Sequence, residues 1–334
     1  MSKRTVQLVV AITACFVLRA DLGAQAKKRG VSAHRPPAKA ATAPKLSCGD
    51  YTGFQVLLDR QGFSPGSIDG KTGTNFTHAL KAFQESKKLT SSGRPDCDTW
   101  KALSADSAEP TIIDYTLTDA DVKGPFEKRI PPKLVDQAKL ESLGYQSATE
   151  LIAERFHMSP ALLAQLNRGV PLTAGKTIKV PAVEPFDPNR KPASDAANAG
   201  VAIQVSRDES ALRATRPDGT LVFFAPVSSG SVHDPLPPGD WKVTGVGWHP
   251  VFHYNPDLFW DAKSTDEKAT IKAGPNNPVG VVWIALNLEH YGLHGTPEPG
   301  NIGRTESHGC VRLTNWDAAR LAALVKPGTP VTFK

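Results

Sequence analysis

Cysteine, long apolar runs and surplus charge are all in short supply in this 334-residue chain. The cysteines are Cys15, Cys48, Cys97 and Cys310. With so few, each thiol can be followed individually, and an odd one asks for an explanation. The apolar stretch Val6–Leu18 is shorter than a bilayer crossing requires, which argues against a permanent membrane helix there. Positive charge is clustered: six basic residues and no acidic ones lie in 27–45, and the remainder is close to balanced. The chain therefore lacks the basic patch that nucleic-acid binding needs, and no nucleic-acid partner is expected. Proline is abundant instead. Its 28 residues, in a chain of this length, point to two or three domains joined by linkers.

Residues 1–26 begin with Lys3 and Arg4, continue through the apolar run and reach Ala24-Gln25-Ala26, a small-x-small cleavage site. They read as a secretory signal peptide, so export to the periplasm or cell wall is expected, with no transmembrane helix left after cleavage. A lipoprotein anchor at Cys15 is the alternative, opposed by the apolar Phe16-Val17-Leu18 behind it. Residues 27–47 read as a basic, Pro/Ala-rich tether. Cleavage removes Cys15, makes Cys48 and Cys97 a disulfide candidate in an oxidising compartment, and leaves Cys310 alone.

In residues 48–104, apolar positions at helical spacing end at Gly62, and Pro65-Gly66 and Asp69-Gly70 are turns. Phe76, Leu80 and Phe83 then share one face of a second helix, and a short third helix follows. With Gly62, Gly66, Asp69, Gly70, Gly73 and Phe83-Gln84 in place, the segment resembles the peptidoglycan-binding domain 1 family, a small helical bundle. Packing and turn geometry account for the same residues without a ligand. Residues 105–141 read as a connector. In 142–182, two short helices are split at Ser159-Pro160, with proline at the first helical position, and a strand follows. Ile152, Phe156, Leu162, Leu163, Leu166 and Asn167 make this part similar to LysM modules, which implies a βααβ fold and affinity for N-acetylglucosamine polymers. Residues 183–200 read as a linker. From 201 to 334, β-branched and aromatic runs separated by turns predict a mostly-β domain, with one helix capped by Thr314 and Asp317. The expected fold class is multidomain α+β: a helical bundle, a βααβ module, and a β-sandwich carrying one helix.

The chemistry concentrates in "YGLHGTPEPGNIGRTESHGCVRL", residues 291–313. His294 ends a strand-like run, and a Gly/Pro-rich loop leads to Ser307-His308-Gly309-Cys310. A free thiol is only a few per cent ionised at neutral pH, so a nucleophilic cysteine needs a base, and an imidazole folded back beside it would serve. Attack on an amide then needs backbone donors for the oxyanion, which the amides around Gly309 and Cys310 can supply. An inert buried thiol is one competing account. Zinc held by His294, His308 and Cys310 is another, but the spacing fits none of the usual ligand pairs and no metal is expected. His249, His253 and His290 read as loop histidines unconnected with Cys310.

The motif H-G-T…S-H-G-C-V-R-L, with "PPGDWKV" and "GPNNPVGVVWIAL" before it, resembles the YkuD family of L,D-transpeptidase catalytic domains. The resemblance implies an enzyme that joins peptidoglycan stem peptides without a cofactor. Cys310 would be the nucleophile, His294 its base, and the Gly295 carbonyl the group orienting the imidazole. Ser307, His308 and Gly309 would shape the pocket and oxyanion site, and Arg312 would either support the loop or meet a substrate carboxylate. The product would be a 3→3 cross-link. Transfer to water, transfer to a protein amine and a non-catalytic wall-binding role are the alternatives.

Overall fold

Asp50 precedes the first helix, and its carboxylate accepts from the Gly53 N–H at 2.8 Å. This N-cap starts α1 (Tyr51–Arg60), followed by α2 (Thr74–Ser86) and α3 (Cys97–Ser104). These belong to a computed structural model that describes residues 45–104, 109–196, 200–305, 307 and 309–334. The signal peptide, Cys15, His308 and all but the end of the tether lie outside the described residues. Phe54, Leu58, Phe76, Leu80 and Phe83 pool the apolar faces of α1 and α2 into one core. Cys48 and Cys97 are joined, with S–S 2.00 Å. The motif residue Asp69 does local work: Gln55 on α1 donates to its carboxylate at 2.9 Å and accepts from the Gly70 N–H at 2.8 Å, which pins the turn.

The middle module contains β1 (Ile112–Thr116), α4 (Asp119–Lys123), α5 (Leu134–Gln137), α6 (Ala148–Arg155), α7 (Pro160–Leu166) and β2 (Thr177–Pro181). Strands β1 and β2 pair antiparallel, with Asp114 opposite Lys179. Four short helices, not the two expected, lie between the paired strands, and the first strand lies inside the segment expected to be a connector. Local patterning hides it because its partner is far downstream: Asp114 and Lys179 are 65 residues apart. Ser159 caps α7 by accepting from the Leu162 N–H, as its Ser-Pro signature predicts. The start of the stretch expected to be a linker is packed. Val183 and Phe186 are buried, and Phe186 packs into the core of the last domain.

That domain carries β3 (Ala202–Ser206), β4 (Ala211–Thr215), β5 (Leu221–Pro226), β6 (Ser228–Ser229), β7 (Gly239–Trp248), β8 (Phe252–Tyr254), β9 (Ala269–Ile271), β10 (Val282–Leu286), β11 (Gly292–His294), β12 (Val311–Arg312), α8 (Asn315–Leu324) and β13 (Pro330–Phe333). A nine-stranded sheet runs β5-β4-β3-β13-β7-β10-β11-β12-β6, and β8–β9 form a separate hairpin. The ten-residue β7 belongs to both halves of the sheet: its first residues pair with β13 and its last with β10. Both halves send residues into one core, Val205, Leu212 and Phe223 from one side, Ile284, Leu293 and Val311 from the other. Trp316 and Leu321 of α8 join it.

Residues 43–334 form one compact unit. Phe63 makes a parallel bridge to Phe224 on the end strand β5, and Ala211 and Phe224 enter the core of the helical bundle. The sheet alternation explains this: Leu212 and Phe223 face one way, Ala211 and Phe224 the other. A second joint is ionic. The buried Asp59 of α1 receives Arg320 of α8 at 2.8 Å and pairs with His157 of the middle module at 3.1 Å. Burial opposes the charge on Asp59, but Arg320 and then His157 hold its carboxyl far below the usual carboxylate range.

Candidate active site

Parallel pairing of β11 with β12 sets Leu293 opposite Val311 and His294 opposite Arg312. Leu293 and Val311 point into the core. Strand alternation therefore turns Gly292, His294, Cys310 and Arg312 to the opposite face. This brings the predicted base and nucleophile to diagonal positions on adjacent strands, although 16 residues separate them in sequence. Both line a cleft of about 1340 Å³, as does Arg312.

His294 is 3% exposed, and its ring stacks on Trp283, the residue paired with it on β10. Its Nδ1 lies 2.7 Å from the Gly295 carbonyl oxygen. A carbonyl can only accept, so Nδ1 carries the hydrogen and Nε2 of the neutral ring is left as a proton acceptor. Burial, and then the charge of Arg312, push the imidazole down to about 3 against this bond. Burial also pushes the Cys310 thiol up, although the Gly292 N–H and Arg312 pull the other way. The resting pair is therefore neutral thiol and neutral imidazole, not the thiolate–imidazolium pair that a solvated Cys–His couple would favour. The thiol donates to the His290 carbonyl at 3.4 Å.

Ser307 is a clamp. Its hydroxyl donates to the Cys310 carbonyl at 2.6 Å and accepts from the Gly230 N–H at 2.7 Å, while its own N–H donates to the Gly230 carbonyl at 3.0 Å. The segment carrying Cys310 is thereby tied to Gly230, just past β6. Gly309 has φ +95°, and a Cβ there would meet the Tyr291 ring at 2.8 Å. Arg312 is half-buried on the cleft face, within the field of Cys310, Glu298 and Asp261. Burial is the main reason its guanidinium is pulled below its ordinary value.

Several participants escaped the sequence reading. Tyr291 packs on Gly309, and Trp283 stacks on His294; the aromatic just before Gly-Leu-His was the available signal for the first. His290, expected to be unconnected, supplies the carbonyl that receives the thiol. The hairpin β8–β9 forms one cleft wall through Phe252 and Tyr254, and α5 of the middle module backs it with Leu134 and Val135. Among the described residues, no group of three or more His, Cys, Asp or Glu side chains is gathered as a metal site. No helix among them is long and apolar enough to cross a membrane.

A thiol, a base with a free nitrogen and a glycine-lined loop in one cleft define a centre equipped for nucleophilic acyl transfer. Residues 200–333 match the YkuD family of L,D-transpeptidase catalytic domains, and residues 51–103 match a peptidoglycan binding domain family. The chain carries the catalytic domain of the L,D-transpeptidase family beside a peptidoglycan-binding module, and it is an enzyme of that class. YkuD of Bacillus subtilis, whose name assigns it to the L,D-transpeptidases, is 28% identical over 184 residues, 54% of this chain and 90% of that protein. YcfS of Escherichia coli, named in the same class, is 30% identical over 199 residues, 55% of this chain and 58% of that one. Among solved structures, an L,D-transpeptidase from Mycobacterium smegmatis is similar over 51% of this chain and 78% of its own, at 18% identity and TM-score 0.34. An Enterococcus faecium L,D-transpeptidase is similar over 40% of this chain and half of its own length, at 16% identity and TM-score 0.32.

Proposed function

We propose that the protein is an exported L,D-transpeptidase that forms 3→3 cross-links between peptidoglycan stems through an acyl-thioester on Cys310. One observation carries the reading: Cys310 and His294 share a cleft face, with the imidazole fixed by Gly295 so that Nε2 is the open nitrogen. In the first half-reaction, the thiol proton passes to His294 Nε2 as sulfur adds to the carbonyl carbon of the third stem residue. The tetrahedral oxyanion collapses, the C–N bond breaks, and the imidazolium gives its proton to the departing amine of the terminal D-alanine. In the second, an amine on a neighbouring stem attacks the thioester, loses a proton to His294, and thiol and imidazole return to their starting state. The neutral resting pair supports proton transfer coupled to attack, because burial disfavours a separated thiolate and imidazolium.

Arg312 on the cleft face is assigned to a substrate carboxylate, and the Gly309–Cys310 amides to the oxyanion. The helical bundle and the middle module are assigned to holding the enzyme on the wall, where tethering raises the local stem concentration. A tetrapeptide donor should add an acyl group to the intact protein, visible by mass, and the Cys310→Ala variant should remain unmodified and form no dimers. Equal dimer yield from that variant would end the proposal. Tripeptide as the only product from donor plus acceptor would turn the assignment to hydrolysis.

A further inference from the structure

Glu154 belongs to α6 of the middle module, yet its buried carboxylate reaches the catalytic domain. It accepts from Asn315 Nδ2 at 2.8 Å and from the Tyr145 hydroxyl. Asn315, the first residue of α8, also donates to the Pro275 carbonyl at 3.0 Å, while its Oδ1 accepts from the Val281 N–H at 3.2 Å. That oxygen lies where a side chain on Gly280 or Gly295 would begin: a Cβ at either would be 2.1 Å from it. Gly295 is the residue whose carbonyl receives His294 Nδ1–H at 2.7 Å. A continuous line of contact thus runs from the middle module through Asn315 and Gly295 to the imidazole.

Resting on the acyl-transfer reading, we propose that Glu154 is a positioning residue for His294, acting through Asn315 on the Gly295 backbone. The carboxylate fixes the sense of the Asn315 amide. With acceptors at Glu154 and Pro275, the NH2 group must face them, and Oδ1 must face Val281 and Gly295. Without Glu154 half of that constraint is lost. A flipped amide would set NH2 against the Val281 N–H and press it on Gly295, displacing the carbonyl that orients the base. Burial lifts the Glu154 carboxyl to about 7, against the bonds from Tyr145 and Asn315 and with the Glu150 charge adding. Either protonation state keeps an oxygen for Asn315, so the role does not depend on ionisation. The middle module is then a working part of the catalytic centre as well as an attachment.

The test uses the full chain, a tetrapeptide donor at several concentrations, and intact mass against time. Glu154→Met fills the space without an acceptor. It should lower the limiting acylation rate about tenfold and leave the half-saturating donor concentration within about twofold, because sub-ångström errors in a base act on chemistry rather than on binding. Glu154→Gln keeps the acceptor and should stay within about twofold of the parent rate. Asn315→Asp sets an oxygen against Glu154 and should be slow. Adding Glu154→Gln should recover part of the rate, since the new amide can donate to the new carboxylate while the Pro275 carbonyl stays without its donor. That pair decides the matter if Glu154→Met does not fold. Equal rates for Glu154→Met and parent, or no restoration of Asn315→Asp by Glu154→Gln, would overturn the positioning role alone. A parent protein that forms no adduct would overturn the acyl-transfer reading and this proposal with it.

Discussion

A neutral imidazole pressed down to about 3 should leave a clear mark on the pH dependence of acylation. An ordinary histidine titrates near 6.5, and the difference amounts to roughly 5 kcal/mol of resistance to protonation. Burial beside Trp283 is the largest cause and the charge of Arg312 the next, against the bond to Gly295. A base works in its unprotonated form, so an unperturbed His294 would give a rate falling below pH 6.5. With the observed burial the base stays competent well below that. The second-order acylation rate of the free enzyme should therefore be flat within about twofold from pH 5 to 8, because those constants report free-enzyme ionisations. Stopped-flow mixing with excess donor, read by mass or by tryptophan fluorescence, would measure it. The sign for stability is opposite to the sign for activity. Below pH 6.5 the unfolded chain takes a proton that the folded one refuses until about 3, so this histidine lowers stability as pH falls through that window. A thermal unfolding curve at pH 5 should accompany the rates. An acid limb centred near 6.5 in a folded protein would refute the buried, neutral base.

Replacing Cys48 and Cys97 by serine opens a loop closed across 49 residues, and should cost about 4 kcal/mol by the chain-entropy relation, measured by denaturant unfolding. Gly309→Ala meets both a left-handed φ and the Tyr291 ring; it should destabilise by about 1–3 kcal/mol and slow acylation, read by melting temperature and adduct formation. Asp59→Ala would leave the half-buried Arg320 guanidinium beside the buried His157 without its carboxylate, a loss of about 3 kcal/mol that Asp59→Asn should partly recover.

Helix starts were legible because caps are local. Ser159-Pro160 and Thr314 with Asp317 each name a terminus within four residues, and the structure caps both there. His294 and Cys310 were legible as residue types in a motif. Their shared face was not, because it depends on the parallel register of β11 against β12. Strand β1 was missed for a related reason: five residues with Ile113 at the surface carry little pattern until β2 is placed beside them. Glu154 was invisible as a functional candidate. On its helix it reads as a solvated charge, and only the docking of α6 against α8 gives it Asn315.

The bridge from Phe63 to Phe224 has a practical meaning. Strand β5 ends the nine-stranded sheet, and an uncovered terminal strand is a template for pairing with another chain. Here the turn after α1 occupies it: Ser64 N–H donates to the Phe224 carbonyl at 2.8 Å, and Phe224 N–H to the Gly62 carbonyl at 2.9 Å. Cutting the chain at residue 200 would strip away that cover along with Phe63 and leave Phe224 in water, so a catalytic fragment made alone should self-associate. The helical bundle thus shields the edge strand of its neighbour.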